Sequence, residues 1–296
     1  TYIRRGFELT LTGQPVVSRD LNWNVIANIS SSHRWLDKVY GDLKNLNYVK
    51  VGQRADQLWV EDFMRDPEGN VIYQNGMPQR DPIRKYWGNA DNDFIFGLTN
   101  SLQVKNVTVT VALDGAYGGK IENNTWENLW RSGRHERSAN EHRYNDWIAY
   151  KNDPAGWGTT YTGQYIADGV VVTGGELKRD ADGMILSDTR TFAPNTVPVI
   201  YQNWAGSSRG YYRTQSMRIQ DRSYIKLREV TVTYRVPKSL LSRLKVVENA
   251  TVSLIGRNLL YFTKADYIDL DQFTGSETVL QTPSLRSFGM NVNVSF

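Results

Sequence analysis

What most constrains this chain is a two-residue alternation of apolar and polar side chains, repeated segment after segment up to its last residue. Phe288, Met290, Val292, Val294 and Phe296 alternate with Gly289, Asn291, Asn293 and Ser295. Successive side chains of a strand point to opposite faces, so this pattern predicts a strand with one apolar and one polar face. Phe7, Leu9 and Leu11 alternate likewise with Glu8, Thr10 and Thr12. Leu21, Trp23, Val25, Ala27 and Ile29 alternate with Asn22, Asn24, Asn28 and Ser30, with Ile26 as the exception. Phe94, Phe96, Leu98, Leu102 and Val104 share a parity that Asn100 interrupts, and Val107, Val109, Val111 and Leu113 follow at once. Ala250, Val252 and Leu254 form a further segment. In Tyr224–Tyr234 the parity switches between Leu227 and Val230, and one extra residue near Arg228-Glu229, a β-bulge, would repair it.

The connections sort into two kinds. Short ones join Gly13 to Asp20, Lys105 to Asn106 and Pro237 to Asn249. Long ones occupy about residues 32–93, 117–222 and 260–284, lengths that are rare as structureless loops in compact domains. If the strands simply run down and up in turn, every short link falls at one end and every long link at the other. Outer-membrane barrels have that asymmetry, with short periplasmic turns and long extracellular loops. The long links hold turn sequences at Asp66-Pro67-Glu68-Gly69-Asn70 and Asp180-Ala181-Asp182-Gly183, which predict small hairpins. Ser138-Ala139-Asn140-Glu141 reads as a capping box opening a helix through about Tyr150.

Composition permits this reading and removes others. A mean hydropathy of -0.51 and the lack of any apolar run of about 18 residues exclude a helical membrane protein, but a barrel, with only alternate residues facing lipid, escapes that test. There is no cysteine, hence no disulfide and no thiolate chemistry. A net charge of +4 with scattered Lys and Arg gives no nucleic-acid footprint. The first residues lack a signal-peptide pattern, and the chain is expected to open in mid-domain.

At the last third the motifs resemble a known family. Ser223-Tyr224-Ile225-Lys226-Leu227-Arg228-Glu229-Val230, then Tyr234-Arg235-Val236-Pro237, then Gly256-Arg257-Asn258-Leu259-Leu260 and the terminal aromatic strand resemble the C-terminal block of SusC/RagA transporters. Arg5-Gly6-Phe7-Glu8-Leu9, Gly88-Asn89-Ala90-Asp91 and Asp114-Gly115 with Gly118-Gly119 extend the likeness over nearly the whole chain. The resemblance implies an all-β antiparallel transmembrane barrel, with residues 1–296 as the closing third of a 22-stranded barrel. Its plug, TonB box and early strands are not in this sequence. It further implies a multi-pass protein of a Gram-negative outer membrane, importing oligosaccharides or peptides. The implied partners are the N-terminal remainder of the same barrel and plug, TonB, and a SusD-like surface lipoprotein lid; no enzymatic activity, cofactor or metal is implied.

Candidate chemistry is sparse. Carboxylates are too plentiful for a glycosidase pair to be read from sequence, and no GxSxG or P-loop pattern occurs. His33, His135 and His142 lack close metal-ligand spacing, and a solvated loop is the plainer reading of the last two. Asp266, Asp269 and Asp271 cluster, but a calcium site needs six to eight oxygens. Aromatics are the stronger signal: Trp126, Trp130, Trp147, Trp157, Tyr161, Trp204, Tyr211 and Tyr212 are the candidate substrate-binding residues, and packing within the loop is their other reading. Trp23, Phe288 and Phe296 are expected in interfacial girdles. Phe288, Met290, Val292, Val294 and Phe296 are expected to face lipid, with Gly289, Asn291, Asn293 and Ser295 toward the lumen. The rival reading is a secreted β-sandwich that binds or hydrolyses carbohydrate.

Overall fold

In the computed structural model, which describes residues 1–41, 43–242, 246–272 and 284–296, one antiparallel sheet carries the architecture. Its seven strands are β1 (Tyr2–Val17), β2 (Leu21–Leu36), β3 (Phe94–Val104), β4 (Val107–Tyr117), β5 (Tyr224–Arg235), β6 (Asn249–Thr263) and β7 (Ser287–Ser295). Each pairs with its neighbours in chain order. No second large sheet lies against it among the described residues, which removes the β-sandwich.

Register turns the separate alternations into two continuous faces. Side chains of directly paired residues share a face, so Trp23, Leu102, Val109, Val232, Leu254 and Met290 form one apolar row across six strands. Leu11, Ala27, Leu98, Leu113, Leu227 and Leu260 form another. On the opposite face Asn22, Gln103, Thr108, Thr233, Ser253 and Asn291 make an all-polar row. The apolar face is exposed from Leu9 and Leu11 to Phe288 and Met290. Asn100, a polar residue on this face, accepts a hydrogen bond from the Trp23 indole Nε1 at 3.2 Å, so the amide oxygen is satisfied within the sheet.

The bulge lies where the parity switch requires it. Ala112 pairs with Glu229 and Leu113 with Leu227, leaving Arg228 as the extra residue of β5. A second extra residue in β6 escaped the sequence: Leu227 pairs with Leu260 and Glu229 with Arg257, and Asn258 takes a left-handed φ of 52°, which Asn tolerates better than most residues.

Strand ends differ from expectation. β1 continues through a register shift between Gly13 and Val16, so the first link shrinks to Ser18–Asp20. There the Ser18 hydroxyl donates to the Leu21 carbonyl and accepts from its amide. β2 runs on to Leu36 because Ser31–Arg34 pair with Arg4–Phe7, although their polar side chains carry no period-two signal. β6 likewise extends to Thr263, and residues 273–283 of the last long link lie outside the described residues.

All short links lie at one end of the sheet and all long links at the other. Within the described residues β1 pairs only with β2 and β7 only with β6, so both outer edges are open.

Gly115 sits between Phe96 and Ile225, where a Cβ would lie 2.4 Å from the Tyr224 carbonyl oxygen and 2.7 Å from the Phe96 ring. Gly115→Ala is expected to destabilise the sheet by about 1–3 kcal/mol, the usual range for overpacking. A lower temperature for loss of the heat-modifiable folded band on gels would show it; an unchanged band would contradict it.

Candidate functional site

The two larger long links fold over the sheet end as one cap with its own core. Phe63, Val71 and Tyr73 of the first link pack with Trp126, Trp130, Ala167, Tyr201, Trp204 and Ala205 of the second. Polar contacts stitch the same pair of links. Ser216 donates its amide to the Glu61 carbonyl at 3.0 Å and its hydroxyl to Asp62 at 2.7 Å.

Local sequence explains the elements that carry these rings. Helix α1 (Asn124–Arg131) is capped by Asn123, whose side chain accepts from the Trp126 amide, and it places Trp126 and Trp130 one turn apart. Helix α2 (Glu141–Asn152) does form, but its cap is Asn140, accepting from the Arg143 amide at 3.1 Å. Ser138 instead donates to the His135 carbonyl, closing a preceding 3-10 turn. Helix α3 (Tyr201–Gly206) carries Trp204. The predicted turns fold as Asx turns. Asp66 accepts from the amides of Glu68 and Asn70, and Asp180 from those of Asp182 and Met184.

The structure divides the predicted aromatics. Trp126, Trp130 and Trp204 are 8%, 1% and 5% exposed, so they present no ring face to a ligand and form the cap's core. Trp130 stacks on Tyr212 and on His135 at 3.5 and 4.2 Å between ring centroids, and Trp204 stacks on Tyr211 at 4.9 Å. These five were expected to bind substrate; burial of the tryptophans and half-burial of Tyr211 and Tyr212 against them give the whole group a packing role. His135, expected in solvated loop, is buried in the same stack, and burial followed by nearby Arg137 pushes its pKa down.

Trp147 remains 51% exposed on α2, with the Lys151 ammonium over its ring. Trp157 and Tyr161 are half-buried and stacked on each other. Tyr161 donates to Asp146 at 2.6 Å, and Asp146 also accepts from the Tyr201 amide at 2.7 Å. Burial, then that bond, pushes the Tyr161 hydroxyl up to about 12. These three keep accessible surface outside the cap's core, as the half-buried Tyr211 and Tyr212 do at its edge.

Sequence reasoning missed a cleft of about 640 Å³ on the polar-face side, at the loop end of β1 and β2. Tyr48 and Trp59 stack there at 5.1 Å, with Arg84, Gln57 and Gln215 supplying polar atoms. The Trp59 indole donates to Gln57 and the Arg84 guanidinium to the Trp59 carbonyl, both at 2.9 Å. The one signal was a four-residue strand, Gln57–Val60, pairing with Lys85–Asn89 some 25 residues on, too short for periodicity to reveal.

The third link is held by charge. Lys226 and Arg228 project from the polar face of β5; Lys226 is buried and meets Asp271 at 2.9 Å and Asp269 at 3.6 Å. Arg228 bridges Asp271 and Asp114. Asp266 stands apart, its carbonyl accepting from Asn123, so the three aspartates do not converge. The Arg228 hydrogen bonds, helped by Lys226 and opposed by burial, hold the Asp271 carboxyl down at about 2.

No family model matches the sequence. The TonB-dependent receptor SusC of Bacteroides thetaiotaomicron is 26% identical over 131 residues, covering 36% of this chain and 13% of that protein. The RagAB peptide transporter superposes over 100% of this chain and 29% of its own, with a TM-score of 0.62 at 14% identity. The RagAB peptide importer in its closed-closed and open-open states gives TM-scores of 0.61 and 0.59. The chain therefore spans less than a third of the length of these relatives. Its fold is that of a SusC/RagA-like barrel portion, and these relatives are named as a TonB-dependent receptor and a peptide transporter.

Two outcomes follow. Trp130→Ala is expected to cost the cap about 3–5 kcal/mol, and Trp147→Ala within about 0.5 kcal/mol of nothing; limited proteolysis of 118–223 should accelerate only in the first, and equal rates would refute the division. Asp271 has a depressed pKa, so its anchoring of the third link is fully present above the ordinary value of 3.8 and is lost as pH falls through about 2. Hydrogen exchange at residues 264–272 should rise over that window in the parent. Asp271→Asn should raise it already at neutral pH.

Proposed function

We propose that this chain is the closing sector of an outer-membrane barrel that imports nutrients. The reading is carried by one observation: an apolar face continuous over seven strands, backed by a polar face and flanked by short links at one end and long links at the other. Water would not favour so large an exposed apolar surface. A bilayer would, and the polar face then lines a lumen. The relatives, named as a TonB-dependent receptor and a peptide transporter, favour the same reading.

The parts take roles accordingly. Phe288, Met290, Val292, Val294 and Phe296 face lipid, with Trp23 and Phe296 near the boundaries. Open edges at β1 and β7 would leave backbone groups unpaired in hydrocarbon at several kcal/mol each, so the N-terminal remainder of the protein supplies the missing strands and plug. The cap lies outside the cell, beneath a SusD-like lipoprotein lid, and TonB acts through the remainder. The cargo is an oligosaccharide or peptide that meets Trp147, Trp157 and Tyr161 on the cap and the Tyr48–Trp59 cleft below. Aromatic faces beside amides and a guanidinium suit either cargo.

Paired substitutions in β7 test the orientation. Val292→Arg is expected to cost about 2–4 kcal/mol near the bilayer midplane, and Asn291→Arg far less. The quantity to measure is membrane-assembled protein. Equal tolerance, or greater damage at Asn291, would overturn the assignment of faces. Protease added to intact cells should cut within 118–223 and spare Lys105-Asn106; cleavage only after permeabilisation would invert the topology.

A further inference from the structure

Toward the loop end, the apolar face of the sheet is hollowed. Phe96, Tyr117, Ile225 and Phe262 surround a groove of about 290 Å³ whose surface is almost wholly carbon. Three of its walls belong to the row Ile29, Phe96, Gly115, Ile225, Phe262, in which the Phe96 ring lies over Gly115. Beside the groove a polar hollow of about 450 Å³ opens over Gly118-Gly119, and Tyr117, Ser223 and Lys264 line both. The two are therefore one amphipathic depression.

Charge in the polar half is uneven in availability. Lys120 is engaged by Asp221 at 3.4 Å, and Asp93 by Arg54 at 2.9 Å. Lys264 stands two residues past Phe262, where β6 has ended, and forms no ion pair among the described residues. An exposed ammonium at the rim of a carbon-lined groove complements an amphiphile with an anionic head.

We propose that this depression binds a phosphate-bearing membrane lipid, one acyl chain in the groove and the phosphate against Lys264. The inference rests on the proposed meeting of this face with the bilayer. The groove lies at the end of the apolar belt, where acyl chains give way to headgroups.

Native mass spectrometry of the full-length transporter, exchanged into detergent with phosphatidylglycerol, lipid A or phosphate-free diacylglycerol, tests it. Retention of one phosphate-bearing lipid is expected, and which of the two is retained identifies the source. Lys264→Gln should lower that retention about tenfold, the loss of one charge-assisted hydrogen bond. Ile225→Trp, which fills the groove with a side chain the interface accepts, should abolish retention while the heat-modifiable folded band persists. Equal retention of diacylglycerol, or retention unchanged in both variants, would overturn the site. A protein absent from the outer-membrane fraction would overturn the barrel reading instead; one present there that retains no lipid overturns only this inference.

Discussion

The backbone hydrogen-bond ladder fixes the register of the seven strands, and everything else depends on that register. A strand slipped by one residue presents its opposite face, so the apolar surface exists only because six pairings agree. Interior backbone groups are satisfied within the sheet, which is the condition for entering hydrocarbon. The bulge at Arg228 and the left-handed Asn258 keep that agreement where the alternation of β5 changes phase.

What could be read from the sequence was what alternation encodes. Strands with one apolar parity, such as β4 and β7, were located nearly to the residue. The outer half of β2 was not, because Ser31, Ser32, His33 and Arg34 are polar on both faces and take their places by pairing with β1 and by contacts such as His33 to the Asn92 carbonyl. The order of short and long links was legible because length needs no side-chain signal. Asn258 was hidden, since an extra residue flanked by Arg257 and Leu259 leaves no parity break of its own.

The cap was less legible for a different reason. Its core joins segments far apart in the chain, as when Phe63 stacks on Tyr211, and no local period announces such contacts. Aromatic density marked the region but could not separate Trp130, which holds the cap together, from Trp147, which lies on its surface. A side chain's availability to a ligand is a tertiary property. The same holds for Asp269 and Asp271, whose partners Lys226 and Arg228 stand more than forty residues earlier.

The phase change in β5 also governs how the protein can vary in length. Between Leu227 and Val230 lie two residues of β5, facing one of β4 and three of β6. Removing any one of them would exchange the faces of everything on one side of the cut, sending Lys226 outward or Val232 inward. Replacing a residue there alters one contact; deleting one alters half a strand. The long links carry no such arithmetic, because a residue added to them shifts no register in the sheet. Insertions and deletions in proteins of this architecture should therefore accumulate in the cap while the wall keeps its count. The cap can then be remade without disturbing the apolar face of the wall.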